Sequence, residues 1–175
     1  MNIDHITRGD DFPDHMHVII EIPMNHDPVK YEIDKVSGAL WVDRFMPTTM
    51  RYPCNYGFVP HTFSGDGDPV DVLVVSGYPI VSGAVIKARP IGVLLMEDEA
   101  GLDEKIIALP ANKIAPDYAD ILDIEDLDGL LKKRIFHFFS HYKDLDPGKW
   151  VKVEGFQGRD KAISLLKEAA ARGGK

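Results

Sequence analysis

Cysteine and positive charge are both scarce in this chain. One cysteine, Cys54, occurs in 175 residues, so no intramolecular disulfide can form and a reducing compartment is expected. Only 20 Lys and Arg stand against 28 Asp and Glu, a formal net charge of −8. General polyanion binders hold nucleic acid by neutralising its phosphates with Lys and Arg, so that class is disfavoured. A phosphate site here must be local, or must borrow its cations. No apolar run approaches the ~18 residues that a membrane helix needs, and the opening MNIDHITRGDD has no apolar core of the signal-peptide kind. The expectation is a cytoplasmic protein with neither a membrane nor a nucleic-acid partner. The length suits one domain, residues 1–175, able to bury a core without staples.

What is present divides in two. Up to about Pro110 the chain is a series of short β-rich runs: MHVIIEIP, VKYEID, ALWVDRF, VDVLVVS, AVIKARPIGVLLM and EKIIAL. NHDP, SGDGDP, SGYP and DEAG punctuate them as turns. After APDYADI the period becomes helical. Leu127, Leu131, Ile135, Phe138 and Tyr142 recur at four or three residues, as one helix face requires. RDKAISLLKEAAARGGK predicts a second helix ending in a frayed Gly-Gly tail. Many short strands followed by helices suggest an α+β architecture, a closed or partly closed barrel with helices packed outside it.

The most informative stretch is GDGDPVDVLV, residues 65–74, with three aspartates in six positions. Asp66 and Asp68 lie two apart and Asp71 is out of phase with them. Gly67 and Pro69 supply a bend that would bring the three carboxylates to one point. Converging carboxylates are tolerable around a cation, and oxygen-only ligation favours a hard ion (Mg²⁺, Mn²⁺ or Ca²⁺). An EF-hand does not fit: Pro69 falls in the loop, Val70 replaces a ligand, and Gly77 stands where a bidentate Glu belongs. Strand alternation sorts other charges. Lys30, Glu32 and Asp34 share a face, Asp71 shares one with Leu73 and Val75, and Asp103 and Lys105 share one with Ile107. Asp98 and Asp103 flank four residues of a hairpin tip and are expected to face each other across it.

DGDPVDV matches the Asp-x-Asp-Pro-x-Asp-x signature of the soluble family I inorganic pyrophosphatases, and the chain resembles the bacterial type over nearly its whole length. RYPCNYGFVPHT precedes the signature as it does there. Agreement continues at Glu21 in VIIEIP, Lys30 and Glu32 in VKYEID and Arg44 in VDRF. It extends to Asp98, Asp103 and Lys105 in MEDEAGLDEK, and to Tyr142 and Lys143 in HYKDL. The resemblance implies a small OB-like five-stranded barrel with flanking C-terminal helices, assembled as a homohexamer. It implies Mg²⁺-dependent hydrolysis of pyrophosphate by direct attack of a metal-activated water. Mn²⁺ or Zn²⁺ would be substitutes and Ca²⁺ an inhibitory occupant.

Roles carry over residue by residue. Asp66, Asp71, Asp98 and Asp103 are implied metal ligands, and Asp68 the general base. Lys30, Arg44, Tyr56, Tyr142 and Lys143 are implied substrate contacts, with Glu21, Glu32, Tyr52 and Lys105 in support. These seven carboxylates and four cations sum to −3, which repels phosphate. About two divalent ions, as in two-metal phosphoryl-transfer sites, would reverse that sign.

Other candidates fall away. His137 and His141 have a zinc-compatible spacing but lack the intervening glutamate of the metalloprotease motif. Cys54 has no evident base beside it. The Pro147–Lys149 tripeptide lacks the first glycine of a Walker loop. A non-catalytic divalent-cation-binding protein remains the rival, and it leaves Arg44, Lys30 and Lys143 without a purpose. An OB-type nucleic-acid binder lacks a basic stripe.

Overall fold

The computed structural model describes residues 2–65 and 67–173. Nine strands and two helices carry the fold. In chain order they are β1 (Met16–Ile22), β2 (Val29–Ile33), β3 (Leu40–Phe45), β4 (Asn55–Phe58), β5 (Asp71–Val74), β6 (Val85–Asp98), β7 (Gly101–Leu102), β8 (Lys105–Pro110), α1 (Gly129–His141), β9 (Val151–Gly158) and α2 (Arg159–Gly173). Strands pair in the order β1-β4-β5-β8-β6, and β6 returns to β1. The ring is therefore closed with five strands, the barrel expected from the sequence. Closure removes the free edges that an open sheet would present. The β5–β8 pair is parallel and the other pairs are antiparallel. β6, 14 residues long, extends beyond the ring and also carries β7 and β9. β2 and β3 form a separate two-stranded sheet.

Alternation along the ring strands builds two cores. Leu73, Ile107, Leu94 and Tyr56 pack with Ile135, Phe138 and Phe139 of α1. Val72, Val74, Ile106 and Ala108 pack with Ala162, Leu166 and Ala169 of α2. The helix face read from Leu127 to Tyr142 is the one that is buried, and the Asp128 carboxylate caps α1 by accepting the Leu131 N–H at 2.8 Å. β1 serves both cores because its register shifts between Ile20 and Ile22. This bulge at Glu21 lets Ile20 join the second core and Ile22 the first.

Some expectations need correction. β4, β7 and β9 lay outside the strand runs read from the sequence. β9 returns the chain to strand between the two helices, so strands do not simply give way to helices. The 98–103 hairpin is tighter than expected: Asp98 pairs with Gly101, and the Asp103 N–H donates to the Met96 carbonyl at 3.0 Å. Asp98 and Asp103 therefore do not face each other across the strands. Asp34 lies beyond β2, where its carboxylate accepts the Ser37 N–H at 2.7 Å, away from the Lys30–Glu32 pair. Gly173 closes α2, and the remainder of the expected frayed tail lies outside the described residues.

Gly57 of β4 marks the closest approach in the ring, since a Cβ there would lie 2.0 Å from the Ile19 carbonyl oxygen. Gly57→Ala must push backbone against backbone and is expected to cost about 3 kcal/mol. Urea unfolding measures this; an unchanged midpoint would show that β1 and β4 can separate freely.

Candidate active site

One cavity of about 300 Å³ gathers the residues singled out from the sequence. The ring supplies Glu21 from the β1 bulge, Tyr56 from β4, Asp71 from the start of β5 and Lys105 from the start of β8. The β6–β7 turn region supplies Asp98 and Asp103, and the segment just after α1 supplies Tyr142 and Lys143. The β2–β3 sheet closes another side with Lys30, Glu32 and Arg44, and Tyr52 and Asp68 complete the lining. Asp66, the remaining sequence candidate, lies outside the described residues.

Lys105 organises the acidic wall. Its register partner in the parallel β5–β8 pair is Asp71, and its Nζ donates to Asp71 Oδ2 and Asp103 Oδ1, each at 2.5 Å. Burial would push this ammonium's pKa down, but the two carboxylates carry it well above the ordinary lysine value. Lys143 holds Asp98 in the same way at 2.6 Å, and both are buried. Burial raises the Asp98 carboxyl, while Lys143 and the Ala100 N–H bring it below the usual range. On the opposite side Lys30 pairs with Glu32 at 2.5 Å and Asp43 at 3.4 Å.

Arg44 donates from Nη1 to its neighbour Asp43 at 3.2 Å. Its Nε is buried with no hydrogen-bond partner, an orphaned donor in a residue that lines the cavity. An unmade bond of this kind costs about 1–3 kcal/mol, and a phosphate oxygen would satisfy it. Tyr52, Tyr56 and Tyr142 are buried, which drives their phenol pKa values up. They remain neutral donors at physiological pH.

Two cations were missed in the sequence. Lys35 lines the cavity and donates to Asp68 Oδ1 at 3.0 Å, and Lys149 lines it as well. With them the described lining residues number six carboxyl groups and six cations; adding Asp66, outside the described residues, gives a formal −1 in place of the −3 read from the sequence. Lys35 follows directly on VKYEID, and Lys149 is the lysine of the rejected Walker-like tripeptide. Neither has a periodic signal that could have placed it. Conversely, Cys54 is buried and its thiol pKa is pushed up to about 12 by burial, which excludes a thiolate nucleophile. The His137 and His141 rings lie 4.7 Å apart, tilted at 56°, on exposed helix surface, outside the cavity lining.

The donor set suits a hard divalent cation. It is all oxygen, and two of its carboxylates, Asp71 and Asp103, already converge on one point charge. Among the described residues no three acidic, His or Cys side chains close around a common point. The convergence of Asp66, Asp68 and Asp71 expected from the sequence thus falls partly outside the described residues. Asp68 and Asp71 line one cavity but pair with different lysines.

Comparison with known proteins finds matches over nearly the whole chain. A family model described as inorganic pyrophosphatase matches residues 18–173. The inorganic pyrophosphatase of Rickettsia bellii is 62% identical over 159 residues, covering 91% of each chain. That of Escherichia coli K12 is 57% identical over 162 residues, covering 93% of this chain and 92% of its own. A solved inorganic pyrophosphatase from Coxiella burnetii superposes with a TM-score of 0.94 at 47% identity, covering 97% of this chain and all of its own. Among the described residues no helix is long and apolar enough to cross a membrane.

Glu21 offers a test of the site's electrostatics. It is buried in the bulge and accepts the Ile33 N–H at 2.8 Å. Burial, reinforced by Asp71 and Glu32, raises its pKa from 4.5 to about 8. Between those values the folded chain keeps a proton that the unfolded chain has lost. Stability should therefore be highest below pH 4.5 as far as this group is concerned, fall as pH rises through the window, and level off above about 8. Glu21→Gln keeps an acceptor for Ile33 and cannot ionise. In chelated protein it is expected to flatten the slope and to gain on the order of 3 kcal/mol over wild type at high pH. Denaturant unfolding across the window decides; a variant with the wild-type slope would remove Glu21 as its source.

Proposed function

The chain belongs to the inorganic pyrophosphatase family, and from that premise we propose how its own residues divide the work of splitting pyrophosphate into two phosphates. The observation that carries the proposal is the orphaned Nε of Arg44, on the β2–β3 sheet, in a cavity whose other wall is acidic. A guanidinium offers a planar fork to phosphate oxygens. Lys30 and Lys143 add charge beside it, and the neutral hydroxyls of Tyr56 and Tyr142 add donors.

The family uses a divalent metal, and we assign Mg²⁺, with Mn²⁺ or Zn²⁺ as substitutes. Ca²⁺ takes more ligands at longer distances and is expected to occupy the site unproductively. Asp66, Asp71, Asp98 and Asp103 would hold the ions. When bound, the metal would share the phosphate charge with Arg44 and the lysines and make water more acidic, the second being chemistry that no side chain here supplies.

The Asp68 carboxylate lines the cavity and is largely exposed, reachable by the attacking water, and we assign it as the general base. Water attacks one phosphorus, its proton passes to Asp68, and the P–O bond to the other phosphate breaks. The departing phosphate keeps the bridging oxygen, and Arg44 and Lys143 meet its charge. Direct attack by water is favoured because the one thiol is inert and no Ser or His lies in the 65–74 stretch. Glu21, Glu32, Tyr52 and Lys105 support these groups. The chain is taken to act as one cytoplasmic domain, residues 1–175, within a homohexamer. The exposed Trp41, Val42 and Phe45 of β3 suit burial in such an assembly.

Two measurements test these roles. Asp68→Asn should lower kcat by about two to four orders of magnitude, and added Mg²⁺ should not restore it. Asp71→Asn should instead raise the Mg²⁺ concentration for half-activity and recover partly in excess metal. Phosphate release from pyrophosphate across a Mg²⁺ titration separates them; full turnover after exhaustive chelation would end the metal assignment. Arg44→Lys keeps charge but loses Nε and the fork. It should reduce kcat/KM about a hundredfold with little change in Tm, and wild-type kcat/KM would take Arg44 out of the substrate site.

A further inference from the structure

The loop that carries Asp68 is closed at its neck by well-formed hydrogen bonds. The Val59 N–H donates to the Val70 carbonyl at 3.0 Å. The buried Thr62 hydroxyl donates to the Val59 carbonyl at 2.7 Å and accepts the Val70 N–H at 3.0 Å. Inside the neck, the Ser64 N–H donates to the Asp68 carbonyl at 2.7 Å. These bonds continue the β4–β5 ladder into the loop, whose stem residues Val59 and Val70 are buried in the second core.

Beyond this stem the loop is also held from outside the cavity, by α2. Phe63 enters the loop with both backbone groups tied to this helix. Its N–H donates to the Ala169 carbonyl at 3.0 Å, and its carbonyl accepts from Arg172 Nε at 2.9 Å. Gly173 presses on the same segment, since a Cβ there would lie 2.5 Å from the His61 carbonyl oxygen. The stem also meets the helix in the second core, where Val59 and Val70 pack with Ala162, Leu166 and Ala169. A second cavity of about 250 Å³, lined in part by Ser64, Val70, Leu165 and Arg172, lies between loop and helix. Packing thus anchors the stem, and the hydrogen bonds at Phe63, with the Lys35–Asp68 pair, hold what lies beyond it.

We propose that the last turn of α2 sets the position of Asp68, with Arg172 a positioning residue for pyrophosphate hydrolysis although it stands outside the catalytic cavity. The inference rests on Asp68 acting from this loop as assigned above. Small displacements of a reacting group are costly: about 1 Å of misplacement can lower a rate by two orders of magnitude. Arg172 is exposed, so its removal need not disturb the core.

Arg172→Met keeps the aliphatic stem and removes the donors; Arg172→Lys returns one. The Met variant is expected to lose about tenfold in kcat at saturating Mg²⁺, with KM and Tm close to wild type. Amide hydrogen exchange should quicken at Phe63–Val70 and nowhere in the barrel. The Lys variant should recover most of the rate and the protection. A Met variant with wild-type kcat overturns the inference, as does a loss of rate with unchanged exchange in the loop. A loss that tracks a fall in Tm, unrelieved in the Lys variant, assigns Arg172 a stability role and overturns it too. The Asp68→Asn enzyme keeps the two ideas separate. If that enzyme is fully active while Arg172→Met is impaired, the general-base assignment fails; if Asp68→Asn is inactive and Arg172→Met is not, only the docking of the loop fails.

Discussion

A buried ammonium shared by two carboxylates sits at the centre of this protein. Without Lys105, the parallel pairing of β5 and β8 would place Asp71 and Asp103 on a poorly solvated wall with nothing between them. Taking a charge out of water costs several kcal/mol, recovered only with close partners, and Lys105 has two at hydrogen-bond distance. Around that ammonium stand the ring of strands, the Tyr56 ring at 5.8 Å and the Lys143–Asp98 pair. Asp71, Asp103 and Asp98 are each held by a lysine, while Glu21 meets only a backbone N–H and stays protonated at neutral pH. Such a wall can exchange partners: a divalent cation arriving among these carboxylates competes with ammonium groups already in place, so the residues need little rearrangement to receive it.

Much of this was legible in the sequence, for physical reasons. Period-two alternation placed Asp71 in line with Leu73, and Lys105 in line with Ile107, because a strand has no choice about which side successive residues take. The α1 face was readable for the corresponding helical reason. The resemblance carried the roles, and every described residue it nominated lines one cavity. Alternation failed where the backbone is irregular. At the Glu21 bulge Ile20 and Ile22 serve different cores, and at the 98–101 turn the pairing is tighter than the spacing of aspartates suggested. β9 escaped because its glycines, Gly155 and Gly158, weaken a strand signal. Gly155 has a φ of +135°, a conformation that suits glycine. Lys35 and Lys149 escaped because loop lysines follow no period and enter the cavity only once the chain has folded.

Charge balance is the quantity most altered by the third dimension. Composition gave an acidic chain and the motif gave an acidic cluster, yet among the cavity's described residues six cations stand beside six carboxyl groups, and burial keeps one of those, Glu21, protonated at neutral pH. Acids concentrate on the ring and cations arrive from the β2–β3 sheet, from the end of α1 and from the Lys149 segment. The result is a surface divided by sign within a few ångströms, which a molecule bearing both metal and phosphate can bridge.

The separateness of the β2–β3 sheet has a further consequence. It shares no strand ladder with the ring; it is joined to it at Ile33, through the Glu21 carboxylate and a small cluster with Ile19 and Phe58. On the assignment proposed above, Lys30 and Arg44 of this sheet and the aspartates of the barrel wall thus meet along one seam. Selection can retune one without recasting the other: the hairpin could be lengthened, stiffened or recharged to prefer a different phosphate ester while the barrel wall keeps its metal chemistry. A modular seam of this kind makes the scaffold adaptable.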